Sequence, residues 1–413
     1  MSDNESLARA TSSRPVSANT VPHAERKRLP RRLRSVLCLN DFEAAARRHL
    51  PRPLFGYVSG AVEDGHSHAA NRRVFDSWGF VPRVLVNVSA RSQQTELFGQ
   101  TYRAPFGIAP MGISALSAYR GDIVLAKAAE AAGIPMIMSG ASLIRMEEVA
   151  RRAPGHTWFQ AYLPGEPAHI EGLVERVREA GFSTLVLTVD TATLANRENN
   201  VRAGFSSPLR PSLRLAWDGA TRPAWLLGTL ARTLLAHGMP HFENAGVNRG
   251  APIIARRAVR QFGLRDHLCW EHFALMRRLW KGPLVIKGIL SAEDARLAAD
   301  HGADGIIVSN HGGRQLDGSA APLSVLPGIA AVRGGMKIML DSGIRRGTDV
   351  LKALSLGADF VFVGRPMLYA AAIAGQPGVA HGIRLLVDEI HRDMALLGVS
   401  SLRELGPDRL TRL

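Results

Sequence analysis

The feature that most restricts this chain is a regular alternation, from about residue 105 onward, of short β-rich runs and segments with helical periodicity. Each parallel strand pair needs a crossover long enough to carry a helix, so this pattern builds parallel α/β sheets. Eight β runs are counted, at 105–110, 134–139, 157–162, 184–190, 284–287, 305–310, 338–341 and 360–364, with helical candidates at 121–132, 168–179, 292–301, 348–356 and 379–397. Eight units without a surplus strand predict a closed (β/α)8 TIM barrel of the α/β class. An open doubly wound sheet is the alternative. Against it, no strand is followed by G-x-G-x-x-G, and G-x-x-x-x-G-K-[ST] is absent from the sequence.

The 413 residues leave room around such a barrel for an N-terminal extension and one insertion. The alternation breaks between Arg197 and about Trp270, and a connection of that length (insertion about 198–270, after the fourth strand) exceeds any ordinary βα loop. It is rich in Arg, Pro, Leu and Trp; Trp217, Trp225 and the run 226–235 interleave apolar residues with Arg222 and Arg232. That pattern suits an interfacial membrane helix, and equally a helix packed on the barrel or on a neighbouring subunit. Residues 36–100 hold a capped helical pattern at 41–50 and then Tyr57-Val-Ser-Gly-Ala, and are expected to form a helical lid across the mouth or the bottom. The domain reading is a basic, disordered tail at 1–35, a barrel domain at 36–405 and a C-terminal tail at 406–413.

Formal charge is +15, from 51 Lys+Arg against 36 Asp+Glu. Arg9, Arg14, Arg26, Lys27, Arg28, Arg31, Arg32 and Arg34 concentrate part of that excess in the first 35 residues. Such charge favours anionic partners: nucleic acid, an acidic membrane surface or an anionic small molecule. A nucleic-acid role finds no recognised binding module and is disfavoured. Cys38 and Cys269 are too few for a disulfide framework, no Cys/His spacing suggests a metal site, and neither a secretory h-region nor an apolar run long enough to span a bilayer is seen. A cytoplasmic location is expected, with any membrane contact peripheral, at the inner face.

Barrels carry their chemistry at the C-terminal ends of the strands, where the βα loops form one open face. Here those ends present Gln160 and Tyr162, Asp190 and Arg197, Lys287, Asn310-His-Gly-Gly-Arg314, Asp341, and Gly364-Arg365. His311 and Arg314, separated by two glycines, can address one ligand, the imidazole taking a proton while the guanidinium grips a carboxylate. A glycine turn with a capping histidine is the simpler alternative, which the surrounding polar strand ends argue against. Asp190 beside His311 would raise its basicity, although an aspartate there also suits a helix cap. Arg197 supplies a second cation for an α-hydroxycarboxylate. Lys287, inside Leu-Val-Ile-Lys-Gly, calls for an anion such as a reduced flavin ring, or else snorkels at a strand end. Asp341-Ser-Gly343-Ile-Arg345 and Gly364-Arg365 close strands seven and eight, where barrels often bind phosphate.

Three motifs, Ser-Asn-His-Gly-Gly-Arg-Gln-Leu-Asp-Gly, Ile-Lys-Gly-Ile-Leu-Ser-Ala-Glu-Asp-Ala and Asp-Ser-Gly-Ile-Arg-Arg-Gly-Thr-Asp-Val, make the sequence from about Leu37 to Leu405 resemble the FMN-dependent 2-hydroxy acid dehydrogenase/oxidase family. That family includes glycolate oxidase, L-lactate dehydrogenase and (S)-mandelate dehydrogenase, and the likeness is nearest to its membrane-associated dehydrogenases. The resemblance implies oxidation of an L-2-hydroxy acid, lactate- or mandelate-like, to the 2-oxo acid, with electrons passing through FMN to a quinone or other acceptor; an oxidase releasing hydrogen peroxide is the alternative. It implies a homo-oligomer, a tetramer in this family.

By residue, the resemblance makes His311 the base, with Asp190, Tyr162 and Arg314 also catalytic. Tyr57, Tyr162, Arg197 and Arg314 bind substrate with His311. Ala109, Pro110, Met111, Ser139, Gln160, Thr188, Lys287 and Ser309 surround the flavin, and Asp341, Gly343, Arg345, Gly364 and Arg365 complete the cofactor site. Whether His311 removes the Cα proton or the hydroxyl proton stays open. Three departures stand out. Gly56 replaces an aromatic residue found in many members, Ala141 replaces the tryptophan of glycolate oxidase and leaves room for a larger substrate side chain, and Gly112 is the residue type of the dehydrogenases, where oxidases tend to carry alanine.

Overall fold

The computed structural model describes residues 29–163, 165–206, 209–244, 246–255 and 265–413. Eight parallel strands close into a barrel in chain order: β1 (Phe106–Ile108), β2 (Met136–Ser139), β3 (Thr157–Ala161), β4 (Leu185–Thr188), β5 (Leu284–Ile289), β6 (Gly305–Val308), β7 (Lys337–Leu340) and β8 (Phe360–Val363). β8 pairs with β1 through Val361↔Phe106, which shuts the barrel. Each predicted run falls on one of the eight strands; six contain their strand whole, while Leu284–Ile289 runs two residues past the predicted 284–287 and Lys337–Leu340 begins one residue before 338.

Two packed layers hold the barrel. Val186, Val285, Ile307 and Met339 point inward with Trp158, Phe360 and Phe362, while neighbours such as Phe159, Leu185, Ile306 and Val361 face the surrounding helices. This in–out alternation follows from the strand period of two. A hairpin formed by Thr95–Leu97 and Gln100–Tyr102 plugs the N-terminal end. Its Tyr102 ring lies 5.8 Å from Phe360, and Phe98 lies 5.7 Å from Trp158. The pre-barrel region therefore does two jobs, with the hairpin sealing the bottom and the helix Arg52–Ser59 reaching the mouth.

The helices follow local signals. Ser291 caps Ala292–Asp300 by accepting from the Glu293 and Asp294 N–H groups, and Gly133 ends Gly121–Ala132 in a left-handed conformation. The expected terminal helix at 379–397 is longer: Arg365–Leu397 is two helices run together across Ala374 and Gly375, both non-helical, with Pro377 near the start of the second.

Both expected tail boundaries require correction. Residues 1–28 lie outside the described residues, but Arg31–Leu33 forms a 3-10 turn whose Leu33 is fully buried, so ordered packing begins before residue 36. At the other end, Leu410–Arg412 pairs antiparallel with Trp78–Phe80, which makes the 406–413 segment part of the fold.

The insertion after β4 carries Glu198–Ala203, Leu213–Ala220 and a continuous helical stretch from residue 223 to 237 whose middle, Leu226–Ala231, is π-wound. One face packs on the barrel: Trp225 is buried and its indole N–H donates to the Leu116 carbonyl at 2.8 Å, and Arg232 lies 3.9 Å over the Tyr119 ring. The other face leaves Leu213, Trp217, Leu227 and Leu235 each more than two-thirds exposed. One face thus fits the reading of a helix packed on the barrel, and the other is apolar and exposed. No helix among the described residues is long and apolar enough to cross a membrane.

Trp158 is 1% exposed at the centre of the barrel interior. Trp158→Ala is expected to lower stability by about 3–5 kcal/mol, read as a drop in the denaturant midpoint; an unchanged midpoint would contradict this packing.

Candidate active site at the barrel mouth

A cavity of about 490 Å³ opens at the C-terminal ends of the strands. Of the residues singled out from the sequence, it is lined by Tyr57, Ala109, Pro110, Met111, Tyr162, Thr188, Arg197, Lys287, His311, Arg314, Asp341, Gly343, Arg345, Gly364 and Arg365. Asp190, Ser139, Gln160 and Ser309 stand behind its wall. Ser139 donates to Gln160 Oε1 at 3.1 Å, Gln160 Nε2 donates to the Ala161 carbonyl at 2.8 Å, and Ser309 accepts from Lys287 Nζ at 2.8 Å. They hold lining groups from the rear.

The loop after β6 shapes the reactive centre. His311, Gly312 and Gly313 have φ of 56°, 67° and 72°, three successive left-handed residues. For His311 that conformation costs about 1–2 kcal/mol, and side chains lock it in place. Ser309 Oγ accepts from the His311 N–H at 3.0 Å, Ser342 Oγ from the Gly312 N–H at 3.0 Å, and Asn310 Oδ1 from the Gly313 N–H at 3.1 Å. The turn aims the imidazole so that Nδ1 lies 2.9 Å from Asp190 Oδ1. Asp190 can approach because β5 bulges at Gly288, whose φ is 113° and whose added Cβ would stand 2.7 Å from the Asp190 Cβ.

With Nδ1 donating to the carboxylate, Nε2 is left as the basic nitrogen. Asp190 raises the basicity of His311, as expected, but other groups outweigh it. Burial lowers the imidazole pKa below its ordinary value, Asp190 raises it, and the neighbouring Lys287 and Arg197 lower it further, so the balance is downward. Burial also raises the Asp190 carboxyl, but His311 and Lys287 outweigh that and hold it below the usual range. The outcome is a neutral imidazole beside an ionised carboxylate at neutral pH.

Positive charge gathers around them. Lys287 is 4% exposed and pairs with Asp341 at 3.0 Å. Burial lowers the Arg314 pKa to about 9, with Arg197 and Arg365 adding to the shift, and Arg345 falls to about 10 beside Arg365 and Arg72. Burial and the three arginines 365, 345 and 314 push His68 down to about 4. Guanidinium groups repel one another here and stay protonated at neutral pH, so an anion entering the cavity is strongly favoured.

Arg314 and Arg365 also tie the mouth together. Arg314 Nη1 donates to the Gly60 carbonyl at 2.8 Å, and Arg365 donates to the carbonyls of Val58, Gly60 and Gly312 at 2.9–3.0 Å. Arg314 lies 5.1 Å over the Tyr57 ring. Arg197 donates to the Arg314 carbonyl at 3.1 Å and to Gln315. The two arginines expected to grip a carboxylate therefore share one wall of the cavity with Tyr57.

Gly56 now has a reason. An added Cβ would stand 2.4 Å from the Ala203 Cβ, because Arg52–Ser59 crosses Glu198–Ala203 at that point, and Asn199 Nδ2 donates to the Gly56 carbonyl at 2.6 Å. Ala141 and Gly112 both line the cavity, and an added Cβ at Gly112 would stand 3.0 Å from that of Ala141, so these two small residues pack closely against each other on its wall.

Sequence reading missed Thr191, Asn200, Val201, Phe205 and Arg265, all on the cavity wall. All five come from the segment between β4 and β5, where no motif or period marked individual positions. The Phe205 ring packs 4.5 Å from Tyr57, and Arg265 lies 4.5 Å over the Tyr162 ring.

The profile of the FMN-dependent dehydrogenase family matches residues 46–412. The chain is 37% identical over 372 residues to an (S)-mandelate dehydrogenase of Pseudomonas putida, covering 90% of this chain and 93% of that protein. It is 40% identical over 380 residues to an L-lactate dehydrogenase of Xanthomonas euvesicatoria, covering 91% and 96%. The crystal structure of the monotopic membrane protein (S)-mandelate dehydrogenase superposes with a TM-score of 0.83 at 36% identity, covering 92% of this chain and all of that one.

Gly56→Ala is expected to force Arg52–Ser59 away from Glu198–Ala203, lowering stability by about 1–3 kcal/mol and weakening the binding of carboxylate ligands through Arg197. Thermal denaturation and ligand titration read the two effects; a variant identical to the parent in both would contradict the contact.

Proposed function

The chain belongs to the FMN-dependent dehydrogenase family, and from that premise we propose that it oxidises a lactate- or mandelate-like L-2-hydroxy acid to the 2-oxo acid, with His311 as the base. It is an oxidoreductase acting on a CH–OH group, and FMN is its cofactor. The observation that carries the reading is the His311–Asp190 pair, 2.9 Å apart, in one cavity with Arg197 and Arg314.

The residues present fit FMN. Arg345 and Arg365, part-buried, both have lowered pKa values, Arg345 partly through Arg365, and make a site that a phosphate would relieve; the backbone at Gly364 opens the Arg365–Leu397 helix there. Lys287 would neutralise charge at the ring edge, with Thr188 and residues 109–111 along the wall. When bound, FMN supplies the acceptor for the two electrons released by the substrate.

Arg197 and Arg314 hold the carboxylate in this account, with Tyr57 and Tyr162 beside it, so that the substrate hydroxyl and Cα–H face His311 in a fixed orientation. His311 Nε2 takes up a proton, and Asp190 stabilises the imidazolium through Nδ1–H. Burial and the surrounding cations keep the base neutral beforehand, which is the state the step needs.

Electrons leave, on this reading, to a quinone or another acceptor at a membrane. The exposed apolar face around Leu213, Trp217, Leu227 and Leu235, flanked by Arg210, Arg214 and Arg222, supports peripheral docking. The exposed apolar loop carrying Val84 and Leu85 suits a homo-oligomeric contact. Electron delivery to a quinone analogue without matching oxygen consumption is the expected behaviour, and stoichiometric hydrogen peroxide release would assign an oxidase instead.

His311→Ala is expected to retain FMN while losing substrate-dependent flavin reduction by at least about 100-fold; retained reduction would remove His311 from the role. For the parent, kcat/KM should fall with acidification through a pKa below the ordinary histidine value, since protonation disables the base. Asp190→Asn removes a group that raises that pKa, so the acid limb should move to still lower pH while the plateau rate drops. A limb that stays put would contradict the coupling.

A further inference from the structure

The cavity wall also carries a guanidinium to which the proposed oxidation assigns no role. Arg265 is 5% exposed, lines the cavity, donates from Nη1 to Thr191 Oγ1 at 3.1 Å and lies over the face of Tyr162. Thr191 directly follows Asp190, so Arg265 stands on the β3–β4 side of the pocket. Arg197 and Arg314 are tied instead to the loop after β6 and the C-terminal end of the helix Arg52–Ser59.

Gly112, Ala141, Tyr57, Phe205 and Val201 line the same cavity, and the small residues at 112 and 141 send no large side chain into it. Thr191, Thr193 and Arg265 add polar groups to that lining. Burial brings the Arg265 pKa down to about 10, so the group keeps its charge at neutral pH. Arginine presents donors in a fixed fork that matches a carboxylate, and a cation lining a closed pocket favours ligand acceptors over ligand methyl groups.

We propose that Arg265 and Thr191 form a subsite for a second carboxylate, so that the preferred substrates are 2-hydroxy dicarboxylic acids whose side chain spans from the Arg197–Arg314 wall to Arg265. The proposal rests on the 2-hydroxy acid reading of this site and specifies its substrate class. It also uses the cationic character of the whole mouth, which attracts a dianion more strongly than a monoanion.

The test is a comparison of kcat/KM for (S)-2-hydroxyglutarate and (S)-2-hydroxypentanoate, acids with the same carbon chain, using the FMN-loaded full-length protein and a dye acceptor. The diacid is expected to be favoured by at least about tenfold. Arg265→Gln should lower that ratio by a similar factor and Arg265→Lys should restore part of it, the flavin spectrum confirming that each variant is folded. A parent ratio at or below one, or a ratio that Arg265→Gln leaves unchanged, overturns the proposal. Turnover of the monoacid with no diacid preference would sink the subsite alone, whereas failure of every 2-hydroxy acid to reduce the flavin would sink the underlying reading.

Discussion

Two guanidinium groups, Arg314 and Arg365, meet at the carbonyl end of the helix Arg52–Ser59, and that junction holds the mouth of the barrel in one shape. The last carbonyls of a helix carry partial negative charge and lack partners within it, so cations from elsewhere in the fold complete them. Here the cations come from the ends of β6 and β8, which flank β7 in the barrel wall, and the helix comes from the segment before the barrel. One set of hydrogen bonds thus joins three distant parts of the chain. Tyr57 on the helix, Arg314 over its ring and Arg197 against the Arg314 carbonyl are all fixed by it.

The same junction concentrates positive charge where little water reaches. Lys287 is balanced by Asp341, while burial lowers the pKa of Arg314, Arg345 and Arg365, with Arg365 adding to the shift of the other two. A site of this kind is stabilised by the anions it binds, through ordinary linkage between folding and ligand occupancy. Anions are attracted by the arginines, while burial, Lys287 and Arg197 oppose protonation of His311. In the proposed reaction Asp190 acts after proton uptake, when the imidazolium needs a partner.

Much of this was legible in the sequence because periodicity and motif both pointed the same way. Strand runs of alternating packing located all eight barrel strands, and the polar residues at their ends fell on one face, as barrel geometry requires. His311 and Arg314 were readable from a turn whose glycines have a defined conformational purpose. The sign of the His311 shift was not readable, since it depends on how burial balances against Asp190 and two cations, a three-dimensional sum. Nor were Phe205 and Arg265, which reach the cavity from an insertion without strand or helix period, or the role of Gly56, which is set by contact with Ala203 nearly 150 residues away. Residues 29–35 and 406–413 were assigned to tails because their pairing and packing partners, Ile373 and the strand Trp78–Phe80, lie far along the chain.

The central claim is that one cavity at the barrel mouth binds FMN and delivers the electrons of a 2-hydroxy acid to it. Anaerobic addition of L-lactate, (S)-mandelate and (S)-2-hydroxyglutarate, one at a time, to the purified full-length protein tests this directly through its visible spectrum. The account predicts flavin absorption bands that bleach with at least one of these acids and return on addition of an electron acceptor. A protein that FMN cannot reconstitute, or a bound flavin that none of the acids bleaches, would contradict it.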